Sequence, residues 1–597
     1  MNRISVIFAS LIVICLAGPA TAVPPKFLPE PFAGKFDPDV IVRTMDKVAG
    51  HYRALNSTAD SEGGRKVWNA GLQAVGKVPG DASLLCGAGD FGDVKGNRKK
   101  AVDLLCAWSE MAALPPGKRW FAPGFKVVTA QSNRSLCSDN DFVNACLAVH
   151  AVAWGAHQAL GIMVIDYYRV PAIEGWLGIL SKVGDDGRIA GDDTEPLLKA
   201  GTFLLAARQV LNLSEAMAVP QPYTREPVYF NDLKEQRAML AQATLPSAAE
   251  SRALMRRACA WQLRHLHQSR EGSGSPDTSW QRAAFYVGIM AAYKATGDKY
   301  YLELAQELAR KNECKPGLNA GKLHGADDLA ISQVYLDLHR LTPESADLAP
   351  TREALDRSMA GTKHGQFDWS WVDALFMAPP AWARMAKISG ERKYLDHMND
   401  RWWETVDQLW NSDAGLVYRD RTYIVRPSGL QLRECNGEKI FWGRGNGWFT
   451  GALCRVLDVL PSDHPDRPQY EAILKKQMAS LVKLQGDGGL WTTSLLNPDG
   501  YPMGDTSCST FFCYGLAWAI NHGLADKNTF LPPALKAWKA IASCVAEDGC
   551  LCYVQAEADS TRSPLYKKMN REYGTGALLL AGSEILQLIK QAEGEQQ

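Results

Sequence analysis

Apolar residues recur at spacings of three and four along most of the second half of this chain, and strand-like alternation is scarce. That period restricts the fold to helices that bury one stripe or more against each other. Leu254 to His267 (LMRRACAWQLRHLH) has the amphipathic form. Ala283 to Tyr293 (AAFYVGIMAAY) is apolar nearly all round, as an inner helix enclosed by others would be. After it stands Ala295-Thr296-Gly297-Asp298, a glycine suited to end one helix and an aspartate suited to start the next. The arrangement recurs 93 residues later, where Ala374 to Ala386 reads as one apolar helix, Ser389-Gly390-Glu391 as the turn and Tyr394-Leu395 as the opening of a polar-faced helix. The interval holds two helix pairs. Alternating buried and half-buried helices with short loops predict a ring of helical hairpins. An open solenoid has the same period, but tryptophan-rich loops around one cavity favour the closed form.

The first residues, Met1-Asn2-Arg3, an apolar run from Ile4 to Ala17 and Ala20-Thr21-Ala22, have the three parts of a secretory signal peptide over residues 1–22. The run is shorter than the roughly 20 residues of a membrane span, so a secreted or periplasmic protein with no membrane span after signal removal is expected. Lysine plus arginine and aspartate plus glutamate both number 65, which gives none of the basic excess that nucleic-acid binding requires. An acidic sugar remains possible, because one or two arginines in a pocket suffice to hold it. No paired C-x-x-C pattern is present, so neither a structural metal nor any cofactor is expected. Cys137 and Cys146, or Cys544 with Cys550 or Cys552, are near enough to pair; buried free thiols are the alternative. No feature sets an oligomeric state.

The chain also echoes itself. Ala517-Trp518, Trp538, Asp548-Gly549 and Gly574 to Ala581 have counterparts in Ala153-Trp154, Trp176, Asp186-Gly187 and Ala200 to Ala206, with similar order and spacing. Residues 23–218 therefore read as an N-terminal helical region, a partial and diverged copy of the later half of the ring. Residues 219–246, with Pro220, Pro222, Pro227 and Pro246, read as a linker, and 247–590 as the main domain.

Four stretches of that domain are chemically unusual. They are Asp277 to Trp280, His324 to Asp328, Phe367 to Met377, and Phe441 to Trp448. An aspartate just before a helix is ordinarily a cap, which would explain Asp327, Asp328 or Asp373. Asp373 sits among Trp369, Trp371, Phe376 and Met377, however, and a carboxyl group so desolvated keeps its proton to higher pH. Arg444-x-Asn446-x-Trp448 is either a glycine-rich loop or a clamp for a carboxylate beside a stacking ring.

WVDALFMAPP (Trp371 to Pro380), FWGRGNGW (Phe441 to Trp448), HGADDLAISQVYLDL (His324 to Leu338) and YGTGALLLAGSE (Tyr573 to Glu584) together resemble the unsaturated rhamnogalacturonyl hydrolases, glycoside hydrolase family 105, relatives of the unsaturated glucuronyl hydrolases of family 88. The resemblance runs from about Ala248 to Leu588. It implies an all-α (α/α)6 toroid, with the N-terminal helical region as an addition. It also implies hydrolysis of an unsaturated acidic oligosaccharide by hydration of the double bond in its terminal 4,5-unsaturated uronic acid. By that match Asp373 is the general acid and then base, and Asp327 or Asp328 supplies the second carboxylate. Arg444 holds the substrate carboxylate; Trp448 and Trp280 stack on sugars, with His324, Trp371 and Asn446 also at the site. Many members have a histidine where this chain has Arg419-Asp420, which leaves the sugar specificity open. The rival readings are an inverting glycosidase or polysaccharide lyase on the same scaffold, or a toroid that only binds sugar.

Overall fold

The computed structural model describes residues 38–53, 62–75, 141–158, 172, 175–191, 194–218, 227–266, 276–317, 325–361, 369–424, 434, 436, 438–557, 561 and 565–594. The signal-like residues 1–22, Cys137 and His324 lie outside them. Two compact units are present: Met1–Pro220 with Ile424–Gly437, and Gln221–Tyr423 with Glu438–Gln597.

In the N-terminal unit the described helices are α1 (Pro38–Arg53), α2 (Glu62–Val75), α3 (Asp141–Gln158) and α4 (Pro196–Ala218). Helix α4 packs on α1, α2 and α3. Their common core includes Trp68, Trp154-adjacent Val152 and Ala153, Trp176 and Phe203. Where α4 meets α2 there is no room for side chains, since a methyl group on Gly201 would lie 2.7 Å from the Trp68 backbone.

The second unit starts with α5 (Pro227–Gln242), which corrects the expected linker at 219–246. Pro227 is its first helical residue, a position where the missing N–H costs nothing. Buried Gln236 donates to the Gly504 carbonyl at 2.8 Å and accepts from its N–H at 2.8 Å. Asp232 accepts from the Lys567 N–H at 2.7 Å. Three prolines that look like loop punctuation thus flank a docked helix.

Six outer helices follow, α6 (Ala248–Arg264), α8 (Lys299–Lys311), α11 (Ala349–Gly361), α14 (Arg392–Leu409), α16 (Arg467–Lys483) and α18 (Lys527–Ser543). They alternate with inner helices α7 (Trp280–Thr296), α10 (Ser332–Leu341), α13 (Pro379–Ser389), α15 (Gly443–Leu457), α17 (Thr506–Asn521) and α19 (Glu572–Gly594). Two single turns, α9 (Ala326–Leu329) and α12 (Ala374–Met377), precede α10 and α13, and a short antiparallel pair, β1 (Trp410–Asn411) and β2 (Leu416–Val417), follows α14. Each inner helix packs on the next, and α19 packs back on α7, so the ring is closed. The sequence period anticipates this division of labour. Every residue of α15 is buried, whereas α16 buries only Tyr470, Ile473, Leu474, Gln477, Met478 and Leu481.

Local signals act as expected at the turns. Gly297 and Gly390 close α7 and α13 in the left-handed conformation, with φ of 70° and 73°. Asp298 caps α8 by accepting from the Tyr300 N–H at 3.1 Å. The single helix expected over Ala374 to Ala386 is instead broken into α12 and α13, because Pro379 and Pro380 have no N–H to continue the ladder. The nine described cysteines, Cys146, Cys544, Cys550 and Cys552 among them, are free thiols. Among the described residues no helix is long and apolar enough to cross a membrane.

Candidate active site

The N-terminal ends of the inner helices bring the unusual stretches together. Asp327 and Asp373 stand at the turns leading into α10 and α13, Arg444 in the first turn of α15, and Asp505 at the cap of α17. Trp280 opens α7 and Tyr573 lies in the first turn of α19. All six thus belong to one end of the ring, where helix dipoles present their positive ends.

The two candidate aspartates in sequence separate cleanly. Asp328 accepts from the Gly325 N–H at 2.9 Å, closing a capping arrangement for α9. Asp328 is therefore the structural member, and Asp327 is the one that feels the charge of Asp373. Burial pushes the Asp327 carboxyl up to about 7, with the negative charges of Asp373 and Asp328 adding to the rise and Arg419 opposing it. Asp373 precedes α12 without capping it, and its Oδ1 is buried with no hydrogen-bond partner among the described residues. Burial raises it to about 6, against the lowering effect of Arg419 and Arg444 and with the help of Asp420. As interacting acids they titrate as a pair, and the pair retains a proton close to neutral pH.

Arg419 is the residue to which sequence reasoning assigned no role. The Val372 N–H donates to the Arg419 carbonyl at 2.8 Å, and Trp371 bridges to Asp420, so this strand-like contact brings Arg419 beside Asp373. Its guanidinium pairs with Asp420. The only sequence signal was that Arg419-Asp420 replaces a histidine. Trp371 is half-buried at this edge.

Three expected substrate contacts take other roles in the fold. Asn446 is fully buried; it accepts from the Val417 N–H at 2.9 Å and donates to the Val417 and Trp442 carbonyls, each at 3.0 Å. It joins β2 to α15 and has no surface to offer a sugar. Trp448 is likewise fully buried, among Phe376, Phe511, Tyr573 and Trp280. In that aromatic wall the half-buried ring is Trp280, stacked on Tyr573 at 5.4 Å. Arg444 is not a free fork waiting for a carboxylate. It donates to the carbonyls of Gln555 and Ala556 at 3.0 Å each and to the Gln555 side chain at 3.2 Å. Trp442 and Tyr573 lie over its guanidinium at 4.6 and 5.0 Å. Gln555 in turn donates its N–H to Asp505, and Tyr573 donates to the Gln555 carbonyl at 2.6 Å. The protein thus fixes this cation before any ligand arrives. Gln555, Asp505 and Tyr573 were not assigned from sequence, since only the fold brings them to Arg444.

Among the described residues no group of three or more histidine, cysteine, aspartate or glutamate side chains is placed to hold a metal ion. A closed helical ring with a proton-holding carboxylate pair at one end, flanked by fixed cations and aromatic rings, is the form of a carbohydrate-cleaving hydrolase. Residues 254–589 match the model of Glycosyl Hydrolase Family 88. The chain belongs to that family, and it is a glycosidase. It is 38% identical over 324 residues to an unsaturated 3S-rhamnoglycuronyl hydrolase of Formosa agariphila, covering 52% of this chain and 85% of that one. It is 33% identical to an unsaturated 3S-rhamnoglycuronyl hydrolase of an Alteromonas species, covering 54% and 81%. A solved family 88 glycosyl hydrolase from Bacteroides vulgatus shares the fold with a TM-score of 0.52 and 28% identity, covering 57% of this chain and 99% of that one. A solved structure described as a polysaccharide lyase has the same TM-score and 29% identity, covering 57% and 98%.

Proposed function

We propose that the protein removes a 4,5-unsaturated uronic acid from the non-reducing end of an acidic oligosaccharide by hydrating the double bond of that sugar. The observation that carries this reading is the pair of half-buried carboxylates, Asp327 and Asp373, both raised toward neutral pH beside Arg419. The ring of such a sugar contains a vinyl ether. Asp373 gives its proton to C4, and positive charge develops at C5 and the ring oxygen. The Asp373 carboxylate then takes a proton from water as its oxygen bonds to C5. The hemiketal opens, and the hemiacetal left at C1 expels the rest of the chain. Asp327 shares one proton with Asp373, so the pair stays singly protonated close to neutral pH and Asp373 can deliver that proton to the bound sugar. A uronate entering here meets the charges of Arg419 and the fixed Arg444, and Trp280 offers a ring edge or face to the sugar.

The relatives' names point to a substrate in which the unsaturated uronyl group is joined to rhamnose, and we extend that class to this chain. The test is the ultraviolet absorbance of the conjugated double bond in unsaturated rhamnoglycuronyl and rhamnogalacturonyl disaccharides. Loss of the band is expected, faster with the rhamnoglycuronyl compound. A gain of absorbance on intact polymer would instead make the protein a lyase, the description given to one solved relative. An unchanged band on every unsaturated disaccharide would leave only sugar binding. We also propose, from the signal-like residues 1–22 alone, that this step takes place outside the cytoplasm; a mature protein beginning at Val23 is expected, and retention of Met1 would overturn it.

A further inference from the structure

Pro379 and Pro380 do more than break a helix. In a continuous helix the carbonyl of Phe376 would accept from the N–H of residue 380, but a proline there has none. The Met377 carbonyl is also outside the ladder, since the Ala381 N–H goes to Ala378. Buried carbonyls left so need partners from elsewhere. One side chain supplies both: Gln333 Nε2 donates to Phe376 O at 2.8 Å and to Met377 O at 3.1 Å.

Gln333 is tied in the other direction to the Asp327 turn. Its N–H donates to the Ala330 carbonyl at 3.3 Å, and the Ala330 N–H donates to the Asp327 carbonyl at 3.3 Å. On the far side the N–H groups of Phe376 and Met377 donate to the Asp373 carbonyl at 3.0 and 3.3 Å. A continuous hydrogen-bonded path therefore runs from the backbone of Asp327, through the Gln333 amide, to the backbone of Asp373. The amide cannot turn over, because Arg455 Nε donates to its oxygen at 2.7 Å. Arg455 is itself held by Asp337 at 3.3 Å, and Asp337 by Arg384 at 3.0 Å, all three being buried. Burial alone would raise Asp337, yet Arg384, Lys294 and Arg455 hold its carboxyl well below the usual range, so this anchor stays charged.

We propose that Gln333 is a positioning residue that fixes the separation of the Asp327 and Asp373 carboxylates, using the two carbonyls freed by Pro379 and Pro380. The inference rests on the proposed function, and it predicts a consequence that mere stabilisation of the core would not have. When the tie is cut the two turns move apart, mutual repulsion weakens, and the pair loses its proton at lower pH.

The experiment compares full-length wild type, Gln333→Met, Gln333→Glu and the control Ser251→Ala, which takes a buried partner from the Trp538 N–H far from the pair in sequence, on the unsaturated disaccharide across pH. Wild-type inactivity on every such disaccharide would sink the proposed function without touching Gln333. Given an active wild type, both Gln333 variants are expected to lower kcat about tenfold or more, less than the roughly 10²–10⁴-fold that loss of a general acid–base itself would cause. KM should stay within about twofold, the signature of an interaction used in the chemical step. The alkaline limb of the kcat/KM profile should move down by about half a pH unit or more. Gln333→Glu keeps the bond to Arg455, so it is expected to fold even where Gln333→Met does not. Ser251→Ala should lower the melting temperature and leave the limb in place. An unmoved or upward-shifted limb in a folded Gln333 variant overturns the proposal. Failure of both Gln333 variants to fold overturns it as well, since Gln333 would then have no separable effect on the pair.

Discussion

Gly201 of the N-terminal unit lies against the backbone at Trp68, and Gly576 of the catalytic unit lies against the backbone at Ala284 and Phe285. The likeness extends outward. Gly187 sits on the Lys47 backbone of α1, as Gly549 sits on the Arg257 backbone of α6. Val183 bridges to Ile189 around one turn, and Val545 bridges to Leu551 around the other. In those turns Asp186 accepts from the Arg188 N–H at 3.0 Å, and Asp548 from the Cys550 N–H at 2.9 Å. Helices α4 and α19, the next described helices after these turns, are both 23 residues long. The differences are equally definite. Among the described residues the N-terminal unit has nothing that corresponds to α9 through α15, which carry Asp327, Asp373 and Arg444. Close helix packing and chemistry are therefore separable properties of this architecture: one depends on glycines in helix faces, the other on turns that can change without disturbing them.

The sharpest way to break the comparison is at the carboxylate pair. Asp373→Asn is expected to lower turnover by roughly 10²–10⁴-fold, the range for loss of a general acid–base, with melting unchanged or slightly raised. Near-normal turnover would show that the catalytic unit owes its activity to something other than this pair. Next in size is the boundary. A fragment beginning at Gln221 is expected to fold and to hydrolyse the disaccharide. One beginning at Ala243 loses α5, leaving both backbone groups of Gly504 and the Lys567 N–H without their partners. Each such loss costs about 1–3 kcal/mol, so the shorter fragment should melt markedly earlier in calorimetry. An inactive but folded Gln221 fragment would show that the N-terminal unit takes part in catalysis.

A matched pair of substitutions probes the shared packing. Gly576→Leu and Gly201→Leu should each cost about 1–3 kcal/mol or more by overpacking. Only the first should abolish hydrolysis, and limited proteolysis should find the opened unit. Loss of activity from Gly201→Leu would mean the two units are coupled. The smallest effect concerns pH. Asp327 has its folded pKa raised to about 7, so its contribution is fully present below the ordinary carboxylate pKa and is lost as pH rises through 7. Asp327→Asn should therefore raise the melting temperature at about pH 8 more than at about pH 5. An equal shift at both would assign the rise to packing.

The same contrasts show what was legible in the sequence. Helical hairpins were, because the period is strong and Gly297, Asp298 and Gly390 punctuate it. The docked α5 was not, because Pro227 inside a proline cluster looks like a loop breaker until its place at a helix start is known. Asp373 stood out through its aromatic neighbours. Asp327 and Asp328 could not be separated, since a cap is defined by which N–H a carboxylate reaches. Arg444, Asn446 and Trp448 were found at the right end of the ring but with the wrong partners. Their contacts, Gln555 at 3.0 Å and Val417 at 2.9 Å among them, come from segments distant in sequence. Arg419 needed the contact with Val372 to reveal it.

The meeting of α19 with α7 has a topological consequence. A closed circle of hairpins has no first member, so the chain's beginning and end are a cut made in a cyclic order. Helices α6 and α7 open the ring and α17 to α19 finish it, yet α19 touches α6, α7, α17 and α18 alike. That adjacency is why the N-terminal unit can reproduce features from both extremes of the catalytic sequence within one contiguous patch. It also makes the catalytic unit a candidate for circular permutation: with a linker joining Gly594 to Pro227, so that α5 is kept, new ends could be placed at the exposed turn around Gly523, where a built side chain meets nothing within 4 Å.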